Sequence, residues 1–176
     1  GEPVDQFDVF KLIIKEYSTD LIREAFISTF DGHFVEDDTR EKIGVDFWLK
    51  NMYVDNIRTA LQIWLMYDVT PELKRNEPYY YAGTYGAIFV FPKNDRESFE
   101  RAKTGYLDFK KVMGDKCHVF FTGVKNEPEV VTAEEGKLFT GEMVNVEYHE
   151  MNNSPQEINE LLELMTKKFL FVGSGV

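Results

Sequence analysis

The sequence predicts an α/β domain: a mostly parallel sheet of six strands, one of them antiparallel, with helices on both faces. Two observations predict it. Short apolar runs alternate with segments of helical spacing along the chain, the signature of parallel strands joined by helical crossovers. And one pair of runs alone, Ile43–Tyr53 and Ile57–Trp64, is close enough for a hairpin, turning at Asp55-Asn56, so a single strand opposes the rest.

The first strand spans Asp8–Ile14, and a helix from Thr19 to Phe30 follows, with Leu21, Ile22, Ala25, Phe26 and Thr29 on its apolar face. Asp31–Lys42 is polar and acidic and reads as a loop. After the hairpin, Leu65–Ala82 carries Pro71 and Pro78 and reads as irregular with one helical turn. Tyr85–Phe91 is a continuous apolar run, as expected of a strand covered on both faces. Asp95–Met113 is helical and Cys117–Gly123 is another strand. Thr132-Ala133-Glu134-Glu135 forms a capping box, and Ser154-Pro155-Gln156-Glu157 a second with proline at the first helical position. Val144–Tyr148 supplies the sixth strand between them. The last helix puts Ile158, Leu161, Leu162, Met165 and Phe169 on one stripe. Residues 1–7 read as a disordered leader or cloning scar, residues 8–172 as one domain and residues 173–176 as a flexible end.

A chain of 176 residues suffices for one well-buried core. Its net charge of −11 opposes binding to nucleic acid or an anionic membrane, both of which favour a basic face. Cys117 is the sole cysteine and sits in an apolar run, so it reads as a small core residue. His33, His118 and His149 stand apart, without the spacing of a metal site. No run is long enough to span a membrane, no signal peptide is evident, and no cysteine near the end offers a prenylation site. The expected location is cytoplasmic, with any membrane recruitment supplied by a partner.

The turn after the first strand carries the functional information. Lys15-Glu16-Tyr17-Ser18-Thr19-Asp20 contains no glycine. In nucleotide-binding α/β proteins a Gly-rich loop here lets backbone N–H groups converge on phosphate.

Ile43-Gly44-Val45-Asp46-Phe47, Leu61-Gln62-Ile63-Trp64, Gly86–Phe91 with Asp95–Glu100, and Val131–Gly136 resemble, in that order, segments of a Rab-type small GTPase of the Ras superfamily. The resemblance covers Phe10 to Phe171 and implies the Ras-like P-loop NTPase fold. It also implies a GTP site, and there this chain departs from the family. The P-loop pattern G-x-x-x-x-G-K-[ST] supplies glycines, a phosphate lysine and a Mg²⁺ hydroxyl. Here six residues separate Ile14 from Leu21, with Ser18 at the lysine's place and Thr19 at the hydroxyl's. Lys42 replaces the Mg²⁺-binding threonine. Leu65–Val69 replaces Asp-Thr-Ala-Gly-Gln, the source of the metal-linked Asp and water-positioning Gln. The guanine-reading Asn-Lys-x-Asp becomes Val124-Lys125-Asn126-Glu127. Ser18, Thr19, Lys125 and Glu127 are thus the remnants of the nucleotide site, and no cofactor or metal is expected.

The resemblance further implies a partner surface of Phe47, Trp64 and one of Tyr79, Tyr80 or Tyr81, as Rab proteins use an aromatic trio against effectors. Tyr85 adds to this tyrosine-rich stretch, and Glu36-Asp37-Asp38 forms a solvated loop or a docking site for a basic partner. The expected function is that of a pseudoGTPase adaptor or complex subunit, binding protein partners through the interswitch and switch-like surface. The alternatives are a divergent GTPase that keeps weak GTP or GDP binding in vesicle trafficking or signalling, and a homodimer joined through the aromatic strand surface.

Overall fold

Runs of β-branched and aromatic residues build the centre of the sheet. In the computed structural model, which describes residues 7–17, 20–34, 44–66 and 71–171, Ile13, Ile14, Ile88, Phe89, Val90, Phe120 and Phe121 have no more than trace exposure. They lie on β1 (Asp8–Glu16), β5 (Gly86–Pro92) and β6 (His118–Val124). Around them stand β2 (Gly32–His33), β3 (Val45–Val54), β4 (Ile57–Met66) and β7 (Val146–Met151). The sheet order is β2-β3-β4-β1-β5-β6-β7, and β3 alone runs against the others. The hairpin joining β3 to β4 turns at Asp55 and Asn56, both at positive φ (50° and 66°), the pairing expected of a type I′ turn.

The described helices are α1 (Asp20–Ile27), α2 (Pro71–Tyr80), α3 (Arg96–Met113), α4 (Ala133–Thr140) and α5 (Pro155–Phe171). On one sheet face α1 and α5 bury Ile22, Phe26, Ile158, Leu161, Leu162, Met165 and Phe169. On the other, α3 buries Phe99, Ala102, Tyr106 and Phe109 against Phe89, Phe91 and Phe121. The capping box at Thr132 is complete: the Glu135 N–H donates to Thr132 Oγ1 (3.2 Å) and the Thr132 N–H to Glu135 Oε2 (2.9 Å). Arg96 beside Glu135, helped by the Thr132 N–H, holds that carboxyl at about 2. At the second box the Glu157 N–H donates to Ser154 Oγ (3.2 Å), while Glu157 reaches back to the Asn152 N–H rather than that of Ser154.

The sheet has seven strands rather than six. The additional one, β2, lies in the stretch read as loop. It forms because the His33 ring stacks on Trp48 (centroids 4.3 Å) and pairs through Nε2 with the buried Asp46, while the Asp31 and Phe34 N–H groups donate to Leu49 and Phe47 carbonyls. Two residues carry no readable periodicity. The segment predicted as irregular holds the ten-residue α2. Pro71 fits its first turn, and Pro78 forfeits only one helical hydrogen bond. Leu21, placed on the buried face of α1, is 69% exposed, because the buried stripe centres on Ile22, Phe26 and Thr29. β7 lies two to three residues later than predicted, and β1 runs on to Glu16.

Candidate functional site

In a sheet of this topology ligands sit at the carboxyl ends of the parallel strands. At that end β1 does not turn away after Ile14. Glu16 remains in register with Val90, and the Tyr17 N–H donates to the Val90 carbonyl (3.0 Å). Since β1 ends at Glu16 and α1 begins at Asp20, three residues separate the two elements, Tyr17, Ser18 and Thr19, and the last two lie outside the described residues.

The side chains at this exit are already engaged. Lys15, buried, places Nζ 2.8 Å from Glu77 Oε1 of α2 and donates to Tyr81 Oη (3.2 Å). Tyr17 turns beneath the strand end onto α3, where only a glycine accommodates it: a Cβ on Gly105 would stand 1.8 Å from Tyr17 Oη. That hydroxyl is buried without a hydrogen-bond partner. Burial, then the nearby Glu77 and Asp108 carboxylates, raise its pKa above the ordinary phenol range. Glu16 is also buried.

At the exits of β5 and β6 a cleft of about 380 Å³ remains, lined in part by Tyr17, Pro92, Asn94 and Asn126, and the side chains beside it are paired. Lys93, 1% exposed, pairs with Glu129 and with Glu150 Oε2 (2.5 Å), and Glu150 also accepts from Tyr148 Oη (2.6 Å). Burial opposes the charge on both partners. The hydrogen bonds outweigh it, raising the Lys93 pKa and lowering that of Glu150. Val124, the residue before Lys125, is buried. Lys125 and Glu127 are exposed beyond it, and the positive charge of Lys125 is felt by Glu150 and Glu157. Asn153 closes the rim by donating from Nδ2 to the Leu21 carbonyl (3.4 Å). Among the described residues of this rim, carboxylates outnumber lysines, and Lys93 is doubly neutralised.

The aromatic set does assemble. Phe47 and Trp64 meet edge to face (4.6 Å, 71°), and Tyr80 lies 6.0 Å from Trp64. All three are half-buried and pack on the α3 side of the core. Tyr79 is 78% exposed, whereas Tyr81 is fully buried against Phe109 and accepts from Lys15 within the core. Tyr85 does not join the group; it packs on Phe10 and Phe169 at the start of β5.

Sequence reading missed Lys11. Its Nζ lies 3.6 Å from the Trp64 ring centroid and donates to the carbonyls of Tyr80 and Ala82 (2.8 Å to the latter). One cation thus fixes Trp64 and the end of α2 together. Burial pulls the Lys11 pKa down to about 8. The available signal was a lysine inside an otherwise apolar strand, between Phe10 and Leu12. Cys117 is buried and donates its S–H to the Thr84 carbonyl (3.3 Å), and burial pushes its thiol up, as a core residue should show. Among the described residues no group of His, Cys, Asp or Glu is arranged to hold a metal ion. Lys42, Asp68 and the acidic run Glu36-Asp37-Asp38 lie outside the described residues.

A family model described as Ras family matches residues 24–170, most of the chain. The chain belongs to the Ras family. The match begins inside α1, so β1 and the turn after it lie outside the matched part, and it is shorter at that end than the resemblance from Phe10 implied. Curated relatives are similar at low identity. Ras-related protein Rab-3C of Mus musculus is 26% identical over 166 residues, covering 86% of this chain and 64% of the relative. Ras-related protein SEC4 of Saccharomyces cerevisiae is 25% identical over 146 residues (76% and 66%), and GTP-binding protein YPTM2 of Zea mays 26% over 136 residues (74% and 59%). The chain spans less than two thirds of the length of these relatives.

Proposed function

We propose that this Ras-family chain is a Rab-like pseudoGTPase: it binds no guanine nucleotide and works as a protein-binding adaptor or complex subunit. The observation that carries this reading is the exit of β1, where pairing with β5 continues through Tyr17 and two residues remain before α1. The buried Lys15–Glu77 pair supports it, since α2 is fastened to β1 by a protein carboxylate where other members depend on nucleotide to order this region. So does the carboxylate-rich rim, an unfavourable setting for a triphosphate.

The partner surface is Phe47, Trp64 and Tyr80, with Tyr79 beside them. Trp and Tyr are favoured interface anchors, and Lys11 pre-orders this set, which lowers the entropy lost on binding. No described helix is long and apolar enough to cross a membrane. In this reading the chain works in the cytoplasm and reaches membranes through a partner.

A second reading has its own support in the relatives, one of which is named a GTP-binding protein. In it, Thr19, Lys125 and Glu127 retain weak GTP or GDP binding and the chain acts in vesicle trafficking. The adaptor half is tested by proximity labelling in cells. The Trp64→Ala variant is expected to melt several degrees below wild type, because Trp64 packs on Phe47 and under Lys11, yet to stay folded at the temperature of the assay and to lose most labelled partners. An unchanged set of labelled partners would place the interaction surface elsewhere.

A further inference from the structure

At the opposite end of the parallel strands, where β6 and β7 begin, a cleft of about 640 Å³ opens between the last turn of α3 and the connection from α4 to β7. Its floor is Phe139 and Met143, both packed on the core beneath, with Phe139 5.0 Å from Phe121. Leu138 and Val144 form its rim, 86% and 57% exposed. The phase of α4 explains Leu138. Gly136 and Thr140 are the buried positions, so Leu138 points away from the core and the fold has no internal use for it. Exposed leucines are ordinary singly; one beside a second apolar side chain at the mouth of a core-floored cleft is an interaction surface.

The charge of this cleft is opposite to that of the molecule. On a chain of net −11, Lys110 and Lys137 flank it, and Glu142 is the one carboxylate among its lining residues. Lys137 has no ion pair among the described residues, while Lys110 makes a long one, 3.8 Å, with Asp115. The Lys137 ammonium is therefore available to a partner, and Lys110 can exchange its long pair for a partner's carboxylate.

We propose that this cleft docks a partner segment in which an apolar side chain is flanked by carboxylates. The apolar group fills the space over Phe139 and Met143 and covers Leu138 and Val144, while the carboxylates meet Lys110 and Lys137. Concavity favours a peptide over a lipid surface, since a membrane offers no projection to fill it. The cleft is remote from Phe47, Trp64 and Tyr80, which lie toward the carboxyl end of β4. The two surfaces can be occupied at once, and the proposal does not depend on whether nucleotide binds.

A random dodecapeptide display library, selected against the wild-type protein, tests this directly. Enriched peptides are expected to combine Leu, Phe or Trp with neighbouring Asp or Glu, and to bind the Leu138→Asp variant at least about tenfold more weakly. The Lys110→Glu/Lys137→Glu double variant should weaken them similarly and remove most of the salt dependence. Leu138 and Lys137 are exposed and Lys110 half-buried, and melting curves confirm folding; if one variant fails to fold, the other decides. The proposal is overturned if no peptides enrich, if enriched peptides lack acidic residues, or if both variants bind unchanged. It is equally overturned if phosphatidylserine–phosphatidylcholine vesicles bind the wild type and these variants abolish that binding, since the occupant is then a membrane.

Discussion

Glu77→Ala is expected to lower the melting temperature by roughly 10 °C, equivalent to about 3–5 kcal/mol for a chain of this size. The Lys15 ammonium has side-chain exposure of 6% and Glu77 of 10%. Removing the carboxylate leaves Lys15 facing the hydroxyl of Tyr81 alone, and an uncompensated buried charge is among the costliest defects a core can carry. The pair itself contributes far less than its loss costs. The double variant Lys15→Met/Glu77→Leu, which removes both charges and keeps the volume, should therefore recover most of the stability. Chemical denaturation of the three proteins checks the sequence of effects. If Glu77→Ala melted within about 2 °C of wild type, the pair would not be fastening α2 to β1.

Lys93→Met is the second large effect, at about 3 kcal/mol. Lys93 is enclosed between two carboxylates, one of which is itself held by Tyr148. Substitution leaves Glu150 partly buried with one neutral donor. Glu129→Gln should cost much less, because the Glu129 side chain is 48% exposed and water replaces its partner. The pH dependence has a definite sign. Lys93 titrates above its ordinary 10.5 and Glu150 below its ordinary 4.5. The contribution of the cluster is then fully present between those ordinary values. It is lost as pH falls through the lowered Glu150 value or rises through the raised Lys93 value. Wild type and Lys93→Met should differ most in urea midpoint near neutrality and converge in acid.

Where periodicity and local chemistry agree, the fold was legible in the residues. The apolar run Ile88–Phe91 is a central strand covered on both faces, Thr132 and Glu135 close the box they spell, and the Ile158–Phe169 stripe is buried as a helix of that phase must be. What escaped depends on contacts distant in sequence. The two residues of β2 are strand because His33 meets Trp48 and Asp46. The helix of Pro71–Tyr80 holds despite Pro78 because Glu77 and Tyr81 are tied to Lys15 across the core.

The candidate site divides in the same way. Phe47, Trp64 and Tyr80 do meet, but only the structure separates Tyr80 from the buried Tyr81 and the fully turned-out Tyr79. Lys125 and Glu127 are exposed on the loop after β6, and Lys11 had no motif to announce it. The short glycine-free turn was readable as a sequence. Its consequence was not: the strand simply continues, and Tyr17 buries its ring against Gly105.

Isothermal titration of the purified, nucleotide-stripped protein with GTP and GDP, each with Mg²⁺, decides whether the chain holds guanine nucleotide. The proposed pseudoGTPase reading predicts no saturable heat, and no Kd tighter than about 1 mM for either nucleotide. A micromolar Kd, or GDP released from the protein as purified, would contradict it.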